Sequence, residues 1–145
     1  MDEKQFIDSD ITFQPLTLEN FQEFEKQFGQ KGACAGCWCM WYRQKRSEFE
    51  KQKGEKNRRA MHAIVRSGKN PGIITYHNGQ PIAWCSIAPR EEFTLLERSR
   101  ILKPVDDKPV WSIVCLFVTK RLRRKGISDT LLQGAIEFAK KIKQR

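Results

Sequence analysis

No apolar run in this chain reaches the ~18 residues that a membrane-spanning helix needs. The first fifteen residues carry Asp2, Glu3, Asp8 and Asp10. They lack the basic-then-apolar order of a secretory signal. Both absences point to a cytoplasmic protein with no membrane partner. In that compartment the five cysteines are expected as thiols or ligands rather than structural disulfides. Acidic side chains are scarce, 17 against 27 Lys plus Arg in 145 residues, for a formal charge of +10. Two phosphate-binding signatures are missing. No Gly-Lys-Ser/Thr follows a glycine-rich loop, and no strand is followed by Gly-x-Gly-x-x-Gly. No internal repeat or low-complexity tract occurs, so a solenoid is excluded.

What the chain does have is enough apolar matter for one core. Hydrophobic residues make up 39%, with nine Phe and four Trp, which fits a single ordered domain. The positive charge is uneven. Residues 43–69 hold ten basic and three acidic side chains, and residues 120–145 hold nine and two. Two basic blocks on a mildly acidic body suit an anionic ligand or nucleic acid. The competing reading is a solvated, lysine-rich surface.

Residues 11–15 predict a short strand. Leu18, Phe21, Phe24 and Phe28 recur at helical spacing and predict a helix from Thr17, as cap, to Phe28, ended by Gly29 and Gly32. Residues 37–42 are expected to be extended. Ser47 and Glu50 form a capping-box pattern, and the helix behind it must cross Gly54 as one interrupted helix or two. After the break at 67–72 comes a hairpin: Ile73–His77, the turn Asn78-Gly79, then Gln80–Ala88. Residues 90–109 read as a loop with one helical turn near Thr94–Arg98. Residues 110–118 form a near-continuous apolar run that includes the β-branched Val110, Ile113, Val114 and Val118, which predicts a central strand covered on both faces. A basic turn follows, then a final helix burying Ile127, Leu131, Ala135, Phe138 and Ile142. The fold class is α/β (α+β), a mixed, mostly antiparallel sheet flanked by helices.

The order of strand, basic turn, glycine and helix has a chemical consequence. The first turn of a helix leaves about four N–H groups without intrahelical partners. Gly126 has no Cβ to hold a ligand away. Arg123, Arg124 and Lys125 add positive charge. Together they predict an anion cradle suited to phosphate or pyrophosphate.

The segment from Leu116 to Leu132 resembles motif A of the GNAT N-acetyltransferases, whose pattern is Arg/Gln-x-x-Gly-x-Gly/Ala. Arg123, Gly126 and Ser128 take its fixed positions, and Ser128 departs from Gly/Ala. The resemblance runs over roughly residues 11–143. The Cys-Trp-Cys-Met-Trp block also resembles a feature of one uncharacterised bacterial branch of the family. The resemblance implies acetyl-CoA as cosubstrate, with its pantetheine arm along Leu116, Phe117 and Val118. Its pyrophosphate would lie on backbone N–H groups from Arg123 through Arg124, Lys125, Gly126 and Ile127 to Ser128. It implies direct attack by a primary amine of a small molecule or peptide. The family adds a further strand and helix after the last helix seen here, so a C-terminally incomplete domain is expected. A homo-oligomer that completes the sheet is expected with it. A non-catalytic member of the same fold and a basic nucleic-acid-binding module are the alternatives.

Candidate catalytic side chains are Glu92, for an ammonium proton, Tyr42 as an acid, and Ser112 as a relay. Cys34, Cys37 and Cys39 form Cys-x-x-Cys-x-Cys, but zinc needs four ligands. Cys85 and Cys115 lie in predicted strands, and no pattern brings His62 or His77 near. No metal is expected. The cysteines read as buried thiols or pocket lining, with a redox pair as an alternative. Trp38, Trp41, Trp84 and Trp111 read as core or as pocket walls.

Overall fold

The computed structural model describes residues 11–29, 36–119, 122–124 and 126–143. Four strands form one antiparallel sheet in the order β1 (Ile11–Pro15), β2 (Gly72–His77), β3 (Gln80–Pro89), β4 (Trp111–Val118). The helices are α1 (Phe21–Phe28), α2 (Arg46–Gln52), α3 (Glu55–Arg66), the short α4 (Thr94–Arg98) and α5 (Ser128–Lys143). Single 3₁₀ turns lie at Trp41–Arg43 and Arg90–Glu92. None of the described helices is long and apolar enough to cross a membrane.

The hairpin forms as the sequence predicts. Asn78 and Gly79 both have positive φ, 51° and 77°, which is the type I′ geometry that matches the twist of the flanking strands. β2 and β3 are buried on both faces. On one face Trp84, Ile74 and Tyr76 pack with Leu16, Phe21, Phe24 and Phe28, Trp38 to Met40, and Met61 and Val65 of α3. On the other, Ile73, Cys85 and Ile87 meet Ala135 and Phe138 of α5, and Ile82 and Ala83 meet Ile127 and Leu131. The final helix thus buries the face that its periodicity marks out.

Four expectations are corrected. First, α1 begins at Phe21, not behind Thr17. The Thr17 N–H donates to Asn20 Oδ1 at 2.8 Å and Asn20 Nδ2 donates to the Pro15 carbonyl at 3.0 Å. This local knot bends residues 17–20 into a turn and leaves Leu18 exposed. Second, residues 37–42 are not extended. Trp38 and Cys39 have φ of 46° and 60°, and the Met40 N–H closes a turn on the Cys37 carbonyl at 2.8 Å. Third, Ser47 lies inside α2 and caps nothing, because the helix starts one residue earlier at Arg46. Gly54, with φ of 86°, separates α2 from α3 as two helices.

The fourth correction concerns β4. It pairs with β3 alone among the described residues and stands at the sheet edge rather than at its centre. Ile113 and Leu116 are correspondingly exposed. A near-continuous apolar run does not set the number of neighbouring strands: β3 takes the interior position, and the β4 side chains are half-buried or exposed rather than covered on both faces. Cys34 and Gly32 of the sequence reading lie outside the described residues.

Phe24 is fully buried and its ring touches Phe21, Phe28, Trp38 and Trp84 at centroid separations of 4.3–5.8 Å. Phe24→Ala should therefore lower stability by about 3–5 kcal/mol, read from the urea midpoint at unchanged slope.

Candidate functional site

A cavity lies at each end of β4. At its C-terminal end the chain leaves Val118 and turns through Thr119 and Leu122. The Leu122 N–H bonds the Thr119 carbonyl at 2.8 Å, and Leu122 is anchored in the core beside Ile127. The backbone between these anchors is unusual. Arg124 and Gly126 have φ of 65° and 74°, in the left-handed region that a side chain disfavours. α5 then starts at Ser128, and Arg123, Arg124, Gly126 and Ser128 are all exposed. The N–H groups of Ser128 and Asp129 open a helix and so have no intrahelical acceptor. Arg124 and Gly126 are thus exposed, left-handed residues shortly before the N-terminus of a 16-residue helix. Lys125 lies outside the described residues.

Individual side chains refine the picture. Ile127 is core, so its side chain is unavailable to a ligand. Arg123 folds back over the end of β4. Its Nε–H donates to the Val118 carbonyl at 2.8 Å, and its guanidinium lies 5.5 Å from the centre of the Phe117 ring. Phe117, Thr119 and Arg123 line a cavity of about 550 Å³ together with Glu23, Lys26 and Gln27 of α1 and the hairpin turn at Gly79–Pro81. In its α1 wall, Glu23 accepts a hydrogen bond from the Tyr76 hydroxyl. Burial, then this carboxylate, raises the Tyr76 phenol above its ordinary value. Sequence reasoning missed Glu23, Lys26 and Gln27, because only the packing of α1 on the sheet brings them to β4.

At the N-terminal end of β4, Tyr42 and Ser112 are brought together. Both line a second cavity of about 340 Å³ with Arg90, Leu96, Leu102, Lys103, Ile113 and Val114. Seventy residues apart in sequence, they meet because the 3₁₀ turn at Trp41–Arg43 sits over α4 and the start of β4. Glu92 stands on the neighbouring 3₁₀ turn, and its Oε1 lies 3.5 Å from Arg43 Nη1. The Arg43 guanidinium is almost wholly buried, 4.8 Å from the centre of the Phe93 ring. Burial pulls its pKa below the ordinary value, and Glu92 opposes that. Glu92 is thus committed to neutralising a buried cation.

Trp38 and Trp84 are core, Trp41 packs edge-on against Phe49, and Trp111 meets Phe138 of α5. His62 packs against the Phe21 ring at 4.9 Å. Among the described residues no group of three or more His, Cys, Asp or Glu is arranged to hold a metal ion.

Comparison with known proteins places this fold in a family. A model described as the acetyltransferase (GNAT) family matches residues 38–144; the chain belongs to that family. Among solved structures it is similar to a GNAT-family acetyltransferase from Streptococcus agalactiae 2603, with a TM-score of 0.58, 14% identity, and coverage of 89% of this chain and 70% of that one. It is also similar to the aminoglycoside 6'-N-acetyltransferase AAC(6')-Ig from Acinetobacter haemolyticus (TM-score 0.52, 14% identity, covering 91% and 73%). A third is the aminoglycoside acetyltransferase meta-AAC0020 from an uncultured soil sample, solved with sisomicin (TM-score 0.54, 13% identity, covering 93% and 73%). At these identities the likeness is one of fold. No curated protein matches by sequence.

Removing Glu92 strands the buried Arg43 charge. Glu92→Ala should lower stability by roughly 3 kcal/mol, near the lower end for a broken buried pair because Glu92 itself is 22% exposed. Thermal unfolding of the variant and of Arg43→Met/Glu92→Leu checks this: the double variant should recover most of the loss.

Proposed function

We propose that the protein transfers an acetyl group from acetyl-CoA to a primary amine, using β4 as the axis of the site. The observation that carries this reading is that one strand links the two cavities. Ser112 lines one, Phe117 the other. Five residues of extended chain separate them, about 17 Å at 3.3–3.4 Å per residue, a span suited to an extended pantetheine arm. β4 has no second neighbour among the described residues. Its outer edge therefore offers the backbone N–H and C=O groups that such an arm pairs with, as an added strand would.

In this reading the loop from Arg123 to Ser128 holds the pyrophosphate through backbone N–H groups, with Arg124 and Lys125 supplying charge. Leu116, Phe117 and Val118 flank the arm. The acceptor enters the Tyr42–Ser112 cavity. Its amine attacks the thioester carbonyl carbon, the tetrahedral intermediate collapses, and the C–S bond breaks. The amine loses its proton and the departing thiolate gains one. Tyr42 gives its proton to the thiolate and regains one from the amine through the Ser112 hydroxyl, and Glu92 contributes negative charge from its pair with Arg43. Orientation and electrostatics carry such a reaction without a covalent enzyme intermediate. The apolar groove between β4 and α5, lined by Trp111, Ile113 and Ile136, supports a homo-oligomer as the working form.

Binding and turnover are separable. Calorimetric titration with coenzyme A should show binding that survives moderate salt, and Gly126→Val should weaken it at least tenfold by forcing a Cβ branch onto a left-handed residue. Equal affinity in both proteins would reduce the loop to a non-specific basic patch. Release of free thiol from acetyl-CoA with a panel of primary amines then tests the chemistry. Tyr42→Phe should lower kcat roughly 100-fold with coenzyme A affinity unchanged. Coenzyme A binding without turnover on any amine would favour a non-catalytic member of the family.

A further inference from the structure

The cavity that holds Tyr42 and Ser112 carries charge of one sign on its wall. Besides the two hydroxyls, its polar lining is a pair of cations, Arg90 and Lys103, and no carboxylate is among the residues that line it. The loop behind α4 puts both cations there. The Ser99 hydroxyl accepts hydrogen bonds from the N–H groups of Ile101 at 3.2 Å and Leu102 at 2.9 Å, which folds residues 99–102 into a turn. Arg90 clasps that turn against α4. Its Nη2 donates to the Leu96 carbonyl at 3.0 Å and to the Leu102 carbonyl. Lys103 follows directly on the clasped residue. The Arg90 side chain is only 14% exposed, so it is a cation fixed in place rather than a free surface arm.

The surrounding carboxylates leave this charge largely unmet. Glu92 lies 3.5 Å from Arg43 Nη1 and neutralises that buried cation. Asp106 Oδ1 accepts the Lys108 backbone N–H at 2.9 Å. Glu91 and Asp107 are exposed and do not line the cavity. Glu97 alone faces the pair, with its Oε1 3.4 Å from Arg90 Nε, and its side chain is half exposed. The carbonyls of Leu96 and Leu102 orient Arg90 without cancelling its charge. Lys103 is exposed and makes no ion pair with a described residue. Arg98 and Arg100 add further exposed positive charge to the same loop.

A simple amine reaches such a cavity as an ammonium, and the cations on the wall repel it. An amine that also carries an acid brings a partner for them, held by charge-assisted hydrogen bonds. We propose that the acceptor of this protein is a small amine bearing an acidic group, a carboxylate or a phosphate, which Arg90 and Lys103 bind while Tyr42 and Ser112 face the nitrogen. This inference rests on the acetyl-transfer reading and narrows it to one class of acceptor. The products are then the N-acetylated acid and the coenzyme A thiol. A volume of about 340 Å³ lies near the lower end of the ~300–1,000 Å³ of ligand sites, which suits a short molecule. Diamines and plain alkylamines meet a wall of their own sign.

The test titrates β-alanine, phosphoethanolamine, propylamine and putrescine into the protein with excess coenzyme A present. In parallel, thiol release from acetyl-CoA is followed with each amine. β-Alanine or phosphoethanolamine should bind about tenfold tighter than propylamine, and putrescine should bind most weakly. The better of the two acids tells a carboxylate acceptor from a phosphate one. Lys103→Glu changes an exposed loop side chain and leaves the Arg90 hydrogen bonds in place. It should lower the preference for the acidic amine over propylamine about fivefold, as reversal of one exposed charge does. Propylamine or putrescine bound as tightly as either acid, no binding of either acid, or a preference unmoved in Lys103→Glu would each overturn the proposal. Thiol release separates this inference from the reading beneath it. Release with propylamine or putrescine alone keeps acetyl transfer and overturns the acidic acceptor. Preferred binding of an acidic amine with no release from any amine keeps the anion site and counts against acetyl transfer.

Discussion

Trp84 projects from the middle of β3 into the face of the sheet covered by α1. It is fully buried, with Phe24 and Phe28 around it at ring separations of 4.8 and 6.4 Å and Trp38 stacked on Phe28 at 5.6 Å. On the β2 side Gly72 lets the indole come close, since a Cβ there would collide with it. An aromatic side chain of this size buries 150–250 Å², and here that burial ties three separate segments to one strand. α1, the turn before α2, and β2 are all positioned by contact with it. The 550 Å³ cavity owes its α1 wall to this packing, and Cys39 is buried in the same cluster.

A second constraint follows from the register of β3 with β4. Pairing runs from Ala83 opposite Val118 to Pro89 opposite Trp111, with one irregularity at Ser86/Ile87. This ladder fixes β4 along one side only. An edge strand exposes unpaired backbone groups and is normally protected. The exposed Ile113 and Leu116 do not protect it.

The two basic blocks are put to different uses. In the first, Arg58 pairs with Glu55 and Glu25, Arg59 with Glu55, Lys53 with Glu50, and Arg43 with Glu92. The two arginines hold the Glu55 carboxyl at about 2, below its ordinary value. Much of that block therefore serves local structure. In the second block Arg123 is spent on the Val118 carbonyl and the Phe117 ring. The exposed turn at Arg124 and Gly126 remains open toward solvent.

The sequence by itself determined what is local. The Asn78-Gly79 hairpin, the C-terminal stop at Gly29, the buried stripe of α5 and the strand-turn-glycine-helix motif rest on side-chain period and on dihedral preferences, which neighbours in the chain express. Tertiary structure decided the rest. The Asn20 side chain overruled the Thr17 cap because it found the Pro15 carbonyl. Trp38 and Cys39 were forced out of an extended run because Gly36, Gly54 and Asn57 pin the turn behind them. The rank of β4 in the sheet depended on which strands exist to pair with it, a property no single strand encodes. Tyr42 and Ser112 are seventy residues apart, and only the packing of the Cys37–Arg43 segment across the sheet brings them to one cavity.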